Sequence, residues 1–242
     1  MQHLTGRADL HIHTTISDGH ASIREVLDYV AEHGQLDVIA ITDHDRLDAS
    51  LWAHSHQHLY PFEVVPGVEV TSAEGHVLAL WVTQPIPKGL SLVETTAAIH
   101  EQGGLAVLAH PLEPMISIRW FWRYFSQSAV LQSSGIDAIE IFNAGAFTPG
   151  SNWLAQRIYQ KSDLPKVGNS DAHSLATIAT GITRFRGRTA TDLRESILCG
   201  QTAAEGKSWP ITAYLSILRI LIHKRLTGFL VGNPPSIHPT QP

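Results

Sequence analysis

Two histidines one residue apart, His11 and His13, close an apolar run at residues 8–12. On an extended strand residues i and i+2 face the same way, so these imidazoles can converge on one cation. Ser17-Asp18-Gly19 follows and offers a carboxylate in a turn. Ile41-Thr42-Asp43-His44-Asp45 then sets a histidine between two carboxylates, and a carboxylate beside a metal-bound histidine can fix its tautomer. Glu69 lies within an apolar run, Gly67-Val68-Glu69-Val70, where a buried carboxylate is costly without a metal or a basic partner. His76 opens another apolar run, His110 follows a third just before Pro111, and Asp171-Ala172-His173 repeats the i, i+2 spacing with one carboxylate and one imidazole. Nine candidate ligands result: His11, His13, Asp18, His44, Glu69, His76, His110, Asp171 and His173. A tetrahedral zinc takes four, so nine suit two or three divalent ions that share a bridging carboxylate. Mixed imidazole and carboxylate donors fit Mn, Zn or Fe. Clustered ions of this kind activate water and neutralise phosphate oxygens.

Side chains so far apart in sequence need a scaffold that returns each to one place. Apolar runs at residues 8–12, 37–42, 62–70, 76–82, 105–109, 136–142 and 165–167 read as strands. Helical periodicity lies between many of them, at residues 22–33, 47–59, 92–102, 115–132 and 153–161, with a last helix at 192–198. Strands alternating with helices predict parallel β-α units and an α/β fold. Seven strands without a linker predict a closed or nearly closed barrel, with an open doubly wound sheet as the alternative. In both, functional side chains gather at the C-terminal strand ends. His11, His13, His44, Glu69, His110 and Asp171 obey that rule. His76 stands at the start of its run and does not.

The remaining composition narrows the partners. With a net charge of −5 the chain has no strong electrostatic case for a long nucleic-acid backbone. Its single cysteine, Cys199, excludes an intramolecular disulfide framework. That and an N-terminus without an apolar leader run predict a cytoplasmic location. Of the 15 histidines, His54, His56 and His58 sit in a polar stretch and are expected at the surface.

Taken in order, Asp9-Leu10-His11-Ile12-His13-Thr14 with Ser17-Asp18-Gly19, Ile41-Thr42-Asp43-His44-Asp45, Gly67-Val68-Glu69-Val70-Thr71, Gly75-His76-Val77-Leu78, Ala109-His110-Pro111 and Ser170-Asp171-Ala172-His173 resemble the PHP family (polymerase and histidinol phosphatase). The resemblance spans roughly residues 7–200. It implies a distorted seven-stranded, TIM-like β/α barrel with a trinuclear metal site at the C-terminal strand ends. It also implies hydrolysis of a phosphomonoester, nucleotide or oligonucleotide phosphoester by a metal-bridging hydroxide. By the same resemblance His11, His13, Glu69 and Asp171 would hold one ion. Glu69 would bridge to a second ion on His76 and His110, and Asp18, His44 and His173 would hold the third. Residues 101–111 and 139–143 look like the small stand-alone members. Members acting on nucleotides often carry a helical cap between the glutamate and the Ala-His-Pro histidine. Here about 40 residues separate Glu69 from His110, already occupied by a strand and a helix. Residues 114–134 could cover the site instead, or pack as a helix on the barrel.

Asp9, Asp43 and Asp45 are candidates to support the ligands, and Arg119, Arg123, Lys166 and Arg184 to contact phosphate. An amidohydrolase-like C–N hydrolase is the alternative function, since such barrels share an early His-x-His. A non-catalytic metal-binding or interaction domain is the third. Residues 1–208 are expected to form the barrel, 209–232 an apolar and basic helix, and 233–242 a disordered tail. Arg219, His223, Lys224 and Arg225 interrupt the apolar stretch, so it predicts a subunit or membrane-surface contact rather than a spanning segment.

Overall fold

The computed structural model describes residues 3–126, 131 and 133–214. The chain divides after Trp209 into two units. Of the second, residues 211–214 are helical. The helix and tail expected over 209–242 lie outside the described residues from 215 onward. Among the described residues no helix is long and apolar enough to cross a membrane.

The first unit is an α/β barrel of nine mixed strands. They are β1 (Gly6–Ile12), β2 (Val38–Ile41), β3 (Glu63–Ser72), β4 (Gly75–Leu80), β5 (Leu105–Leu108), β6 (Ala138–Asn143), β7 (Lys166–Asn169), β8 (Gly181–Phe185) and β9 (Ala203–Gly206). The helices are α1 (Ile23–His33), α2 (Asp48–His56), α3 (Leu92–Glu101), α4 (Ile118–Ser126), α5 (Ser151–Tyr159) and α6 (Ala190–Leu198). The sheet runs β7-β6-β5-β4-β3-β2-β1-β8-β9. Backbone bonds from His13 N to Ala172 O (2.9 Å) and from Ala172 N to His11 O (3.1 Å) join the segment after β7 to the end of β1. They bring the barrel nearly to closure.

All seven expected strands are present, and the strand count corrects from seven to nine. β8 and β9 form an antiparallel pair attached to the outer side of β1. The all-parallel expectation is also corrected, because β4 runs antiparallel to both β3 and β5. Only two residues, Ala73 and Glu74, connect β3 to β4, and a parallel crossover needs a dozen or more. This reversal accounts for His76: the N-terminal end of β4 lies at the same barrel end as the C-terminal ends of β3 and β5.

Local signals place the helices. Ser22 caps α1, with Glu25 closing the capping box. Val26, Leu27 and Val30 form its buried face, and Gly34 ends it in the left-handed conformation (φ 56°). Leu10, Ile12, Ile39, Ile41, Leu78 and Leu80 are fully buried in the strands, each stabilising the fold by about 1.5–3 kcal/mol.

Candidate metal centre

Backbone pairing brings all nine sequence-derived candidates to one end of the barrel. Ile12 lies opposite Ala172 in a parallel bridge. The flanking pairs, His11 with His13 and Asp171 with His173, therefore share one face. A second bridge sets His44 beside Glu69. In the β3–β4 hairpin Glu69 pairs with Leu78, which makes His76 its diagonal neighbour on the same face. Ala109 N donates to His76 O at 3.0 Å and so brings in the next residue, His110. The 14–19 turn delivers Asp18. Gly19 N donates to Thr14 O at 2.9 Å, and any Cβ at Gly19 would collide with the His13 carbonyl.

Glu69 is the centre of the arrangement. Its Oε2 lies 3.2 Å from His11 Nε2, 3.3 Å from His13 Nε2 and 3.1 Å from His44 Nδ1. Its Oε1 lies 3.0 Å from His76 Nδ1 and 3.1 Å from His110 Nε2. Asp171 Oδ1 approaches His13 Nε2 at 3.1 Å and His11 Nε2 at 3.3 Å. Asp18 Oδ2 approaches His173 Nε2 at 3.1 Å and His44 Nε2 at 3.7 Å. Four groups have ligand atoms within 4.8 Å of one another: His13, Asp18, His44 and His173; His11, Glu69 and His110; His11, His13 and Asp171; and His44, Glu69 and His76. His76 and His110 thus fall in separate groups that share Glu69.

The chemistry of these donors fits divalent cations. His11 Nε2, His13 Nε2, Glu69 Oε2 and His76 Nδ1 are buried without a hydrogen-bond partner. Buried polar atoms are ordinarily paired, and these four point into the space between the ligand groups. Without cations the charges are shared among the side chains. Burial pushes the Glu69 carboxyl up, but His11, His76 and His44 outweigh it and hold the group well below the usual carboxylate range. Burial likewise opposes ionisation of Asp171, and His11 and His13 overcome it. Burial pulls His13 down, yet the neighbouring carboxylates of Asp171 and Glu69 raise it to about 10. For His11 burial again acts downward, and the charges of Asp171, Glu69 and Glu140 lift it well above an ordinary imidazole. His44 is lowered by burial, against the pull of Glu69. His110 and Asp171 also sit in the left-handed backbone region, with φ of 28° and 53°. Such strain costs about 1–3 kcal/mol per residue and clusters at functional sites.

The supporting aspartates bond chiefly to backbone and hydroxyl groups around the ligands and not to the ligand imidazoles. Asp9 accepts from Ser170 N (3.0 Å) and Ala179 N (2.9 Å), anchoring the loop after β7. Asp43 accepts from Thr14 N, Thr14 Oγ1 and Ser17 Oγ at 2.6–2.7 Å, shaping the turn that carries Asp18. Asp45 accepts from Thr71 N at 2.8 Å. The carboxylate that does meet a ligand imidazole is Glu140 on β6, 3.2 Å from His11 Nδ1 and fully buried. Sequence reasoning gave it no role, although a glutamate in an apolar strand is the same signal that singled out Glu69.

Three of the four candidate phosphate contacts are held by other groups of the protein. Lys166 Nζ donates to Ser162 O and Leu164 O before β7 begins. Arg184 donates to Leu4 O. Arg123 pairs with Glu74 at 2.8 Å, and Arg119 is exposed on α4. His54 and His56 bond backbone carbonyls of Val64 and Trp52. With His58 they stay on α2 and the turn after it, outside the four groups. Between Glu69 and His110 the chain forms β4, α3 and β5, leaving no room for an inserted cap. α4 packs on the barrel: Tyr124 donates to Glu74 O at 2.5 Å and the Trp120 ring lies 5.5 Å from that of His76.

Comparison with known proteins agrees with this geometry. A family model described as PHP-associated matches residues 149–202. The chain is 33% identical over 149 residues to the uncharacterized protein MJ1587 of Methanocaldococcus jannaschii, covering 57% of this chain and 82% of the relative. Among solved structures, a two-domain Bacteroides vulgatus protein containing a predicted PHP-like metal-dependent phosphoesterase superposes with a TM-score of 0.69 at 19% identity. That match covers 83% of this chain and 64% of the other, so the chain spans under two thirds of it. The lesion-specific endonuclease EndoQ of Pyrococcus furiosus superposes with a TM-score of 0.59 at 18% identity, over 82% of this chain and 57% of the other.

Proposed function

The chain belongs to the PHP (polymerase and histidinol phosphatase) family, and from that premise we propose that it is a metal-dependent phosphoesterase. The observation that carries this reading is the convergence of six imidazoles and three carboxylates at one end of the barrel, four of their donor atoms being buried without a hydrogen bond. His11, His13, Glu69 and Asp171 would hold one divalent ion, Asp18 with His44 and His173 another, and Glu69 with His76 and His110, which fall in separate groups but both approach its Oε1 within 3.1 Å, a third. Bound there, such ions supply Lewis acidity toward a phosphoester and an activated water.

The protein's own groups define how a substrate approaches. The Glu69 and His11 side chains are almost wholly buried and form the floor, while that of Asp18 is 50% exposed and that of His44 31%. The ester therefore enters at the Asp18–His44–His173 edge and presents its phosphoryl oxygens to the floor. The Trp120 ring borders the site at His76. The negative net charge favours a small phosphorylated molecule or a short oligonucleotide over a long nucleic acid.

The test is hydrolysis of p-nitrophenyl phosphate and bis-p-nitrophenyl phosphate, beside a cyclic amide. His11→Ala and Asp171→Ala are each expected to lower phosphoester hydrolysis at least about a hundredfold, a loss of about 3 kcal/mol. Folded variants with undiminished activity, or a wild type active on the amide alone, would overturn the reading.

A further inference from the structure

We propose that Glu140 is a positioning residue: it selects the nitrogen of His11 and the oxygen of Asp171 that face the ions. The proposal rests on the metal-centre reading above. Glu140 sits on β6 with 1% exposure, and its carboxylate is saturated. Its Oε1 accepts from Asn169 Nδ2 at 2.8 Å and lies 3.2 Å from His11 Nδ1. Its Oε2 accepts from His110 N and Asn143 Nδ2, both at 2.9 Å. An ionised carboxylate offers about four lone-pair sites, so none is left for a cation. Glu140 is thereby a holder of ligands and not a tenth ligand.

The direction of each bond follows from what each atom can do. A carboxylate oxygen only accepts, so His11 Nδ1 must carry the proton and donate it. Nε2 is then the nitrogen left to bind an ion, and it is the one buried without a hydrogen bond. Asn169 cannot turn its amide around, because its Oδ1 accepts from Leu10 N at 2.9 Å. Asn143 Nδ2 reaches Asp171 Oδ2 at 3.0 Å as well as Glu140. That leaves Asp171 Oδ1 to face His11 and His13. The bond from His110 N also secures that residue in its left-handed conformation. One carboxylate thus orients ligands from β1, from the end of β5 and from the end of β7.

Glu140→Gln keeps the shape and replaces one acceptor with a donor. Zinc affinity is expected to fall about 10–100-fold, as for other groups that orient metal-bound histidines. Competition with a chelating dye reads this loss without reference to catalysis. Long-range 1H–15N correlation spectra of the zinc-loaded wild type should find His11 ligated through Nε2, with Nδ1 protonated. A purely structural role would lower thermal stability but would not dictate which nitrogen binds. Ligation of His11 through Nδ1 in the wild type overturns the proposal, whether or not the variant folds. So does a folded Glu140→Gln protein that binds zinc within about twofold of wild type. Phosphoester inertness of a zinc-binding wild type would overturn the functional reading and leave this proposal standing.

Discussion

Glu69→Gln is expected to lower phosphoester hydrolysis about a thousandfold, the equivalent of about 4 kcal/mol of transition-state stabilisation. No other side chain is so central. Its two oxygens lie within 3.3 Å of nitrogens on His11, His13, His44, His76 and His110. It also belongs to two of the four ligand groups. Glutamine retains the volume and one acceptor oxygen, and loses the negative charge. The five imidazoles then face a neutral amide whose NH2 cannot bind a cation. Metal content should fall by at least one ion per chain alongside the activity, measured by elemental analysis on the same sample. The fold should survive, because the apolar strands on either side are unchanged. A folded variant that keeps both full metal content and activity would remove Glu69 from its central place.

The second large effect is on pH. In the cation-free protein His13 is raised to about 10, and His11 and His110 are raised as well. His13 is therefore protonated near neutrality and must release that proton before it can ligate, and the upward shifts of His11 and His110 act in the same sense. Metal affinity should rise with pH by about tenfold per unit for each proton displaced. Zinc titrations at about pH 6.5 and about pH 8.5 should differ by two orders of magnitude or more. The stability of the cation-free protein runs the other way. A histidine raised on folding contributes stability that is complete below its unfolded value of about 6.5, and that stability is lost as pH rises through its folded value. For His13 the loss runs up to about 10. Denaturant unfolding of chelator-treated protein should therefore become easier as pH rises, while the metal-loaded protein gains stability. Zinc affinity that is flat across this range would contradict the protonation pattern.

How much of this was legible in the sequence depended on how local each signal was. Most of the nine candidate ligands were readable because they stand at or just after an apolar run, where a polar residue needs a reason, while Asp18 was read from its Ser-Asp-Gly turn. Their convergence follows from the rule that strand ends gather function, and the structure brings all nine to one barrel end. His76 broke the rule only while β4 was taken as parallel. The hairpin connection at Ala73 and Glu74 is hidden in the sequence because the apolar patterns end at Val70 and resume at His76, whereas the strands extend to Ser72 and start at Gly75. β8 and β9 were missed because Gly181–Phe185 and Ala203–Gly206 lack a long apolar run. Their pairing is set by tertiary context, with Thr183 Oγ1 donating to Gly168 O at 2.9 Å across the barrel seam. The roles of Asp9, Asp43 and Asp45 were also out of reach. Each lies within two residues of a ligand in sequence and turns its carboxylate to backbone N–H groups instead. Glu140 needed only the argument already applied to Glu69.

The central claim is that these side chains hold divalent ions that hydrolyse a phosphoester. It is tested most directly by stripping the purified protein with a chelator and reloading it with Mn or Zn while following p-nitrophenyl phosphate and its diester. Stripped protein should hydrolyse neither ester, and hydrolysis should recover as two or three ions bind per chain. Stripped protein that remains fully active, or reloaded protein that binds its ions and hydrolyses neither ester, would contradict it.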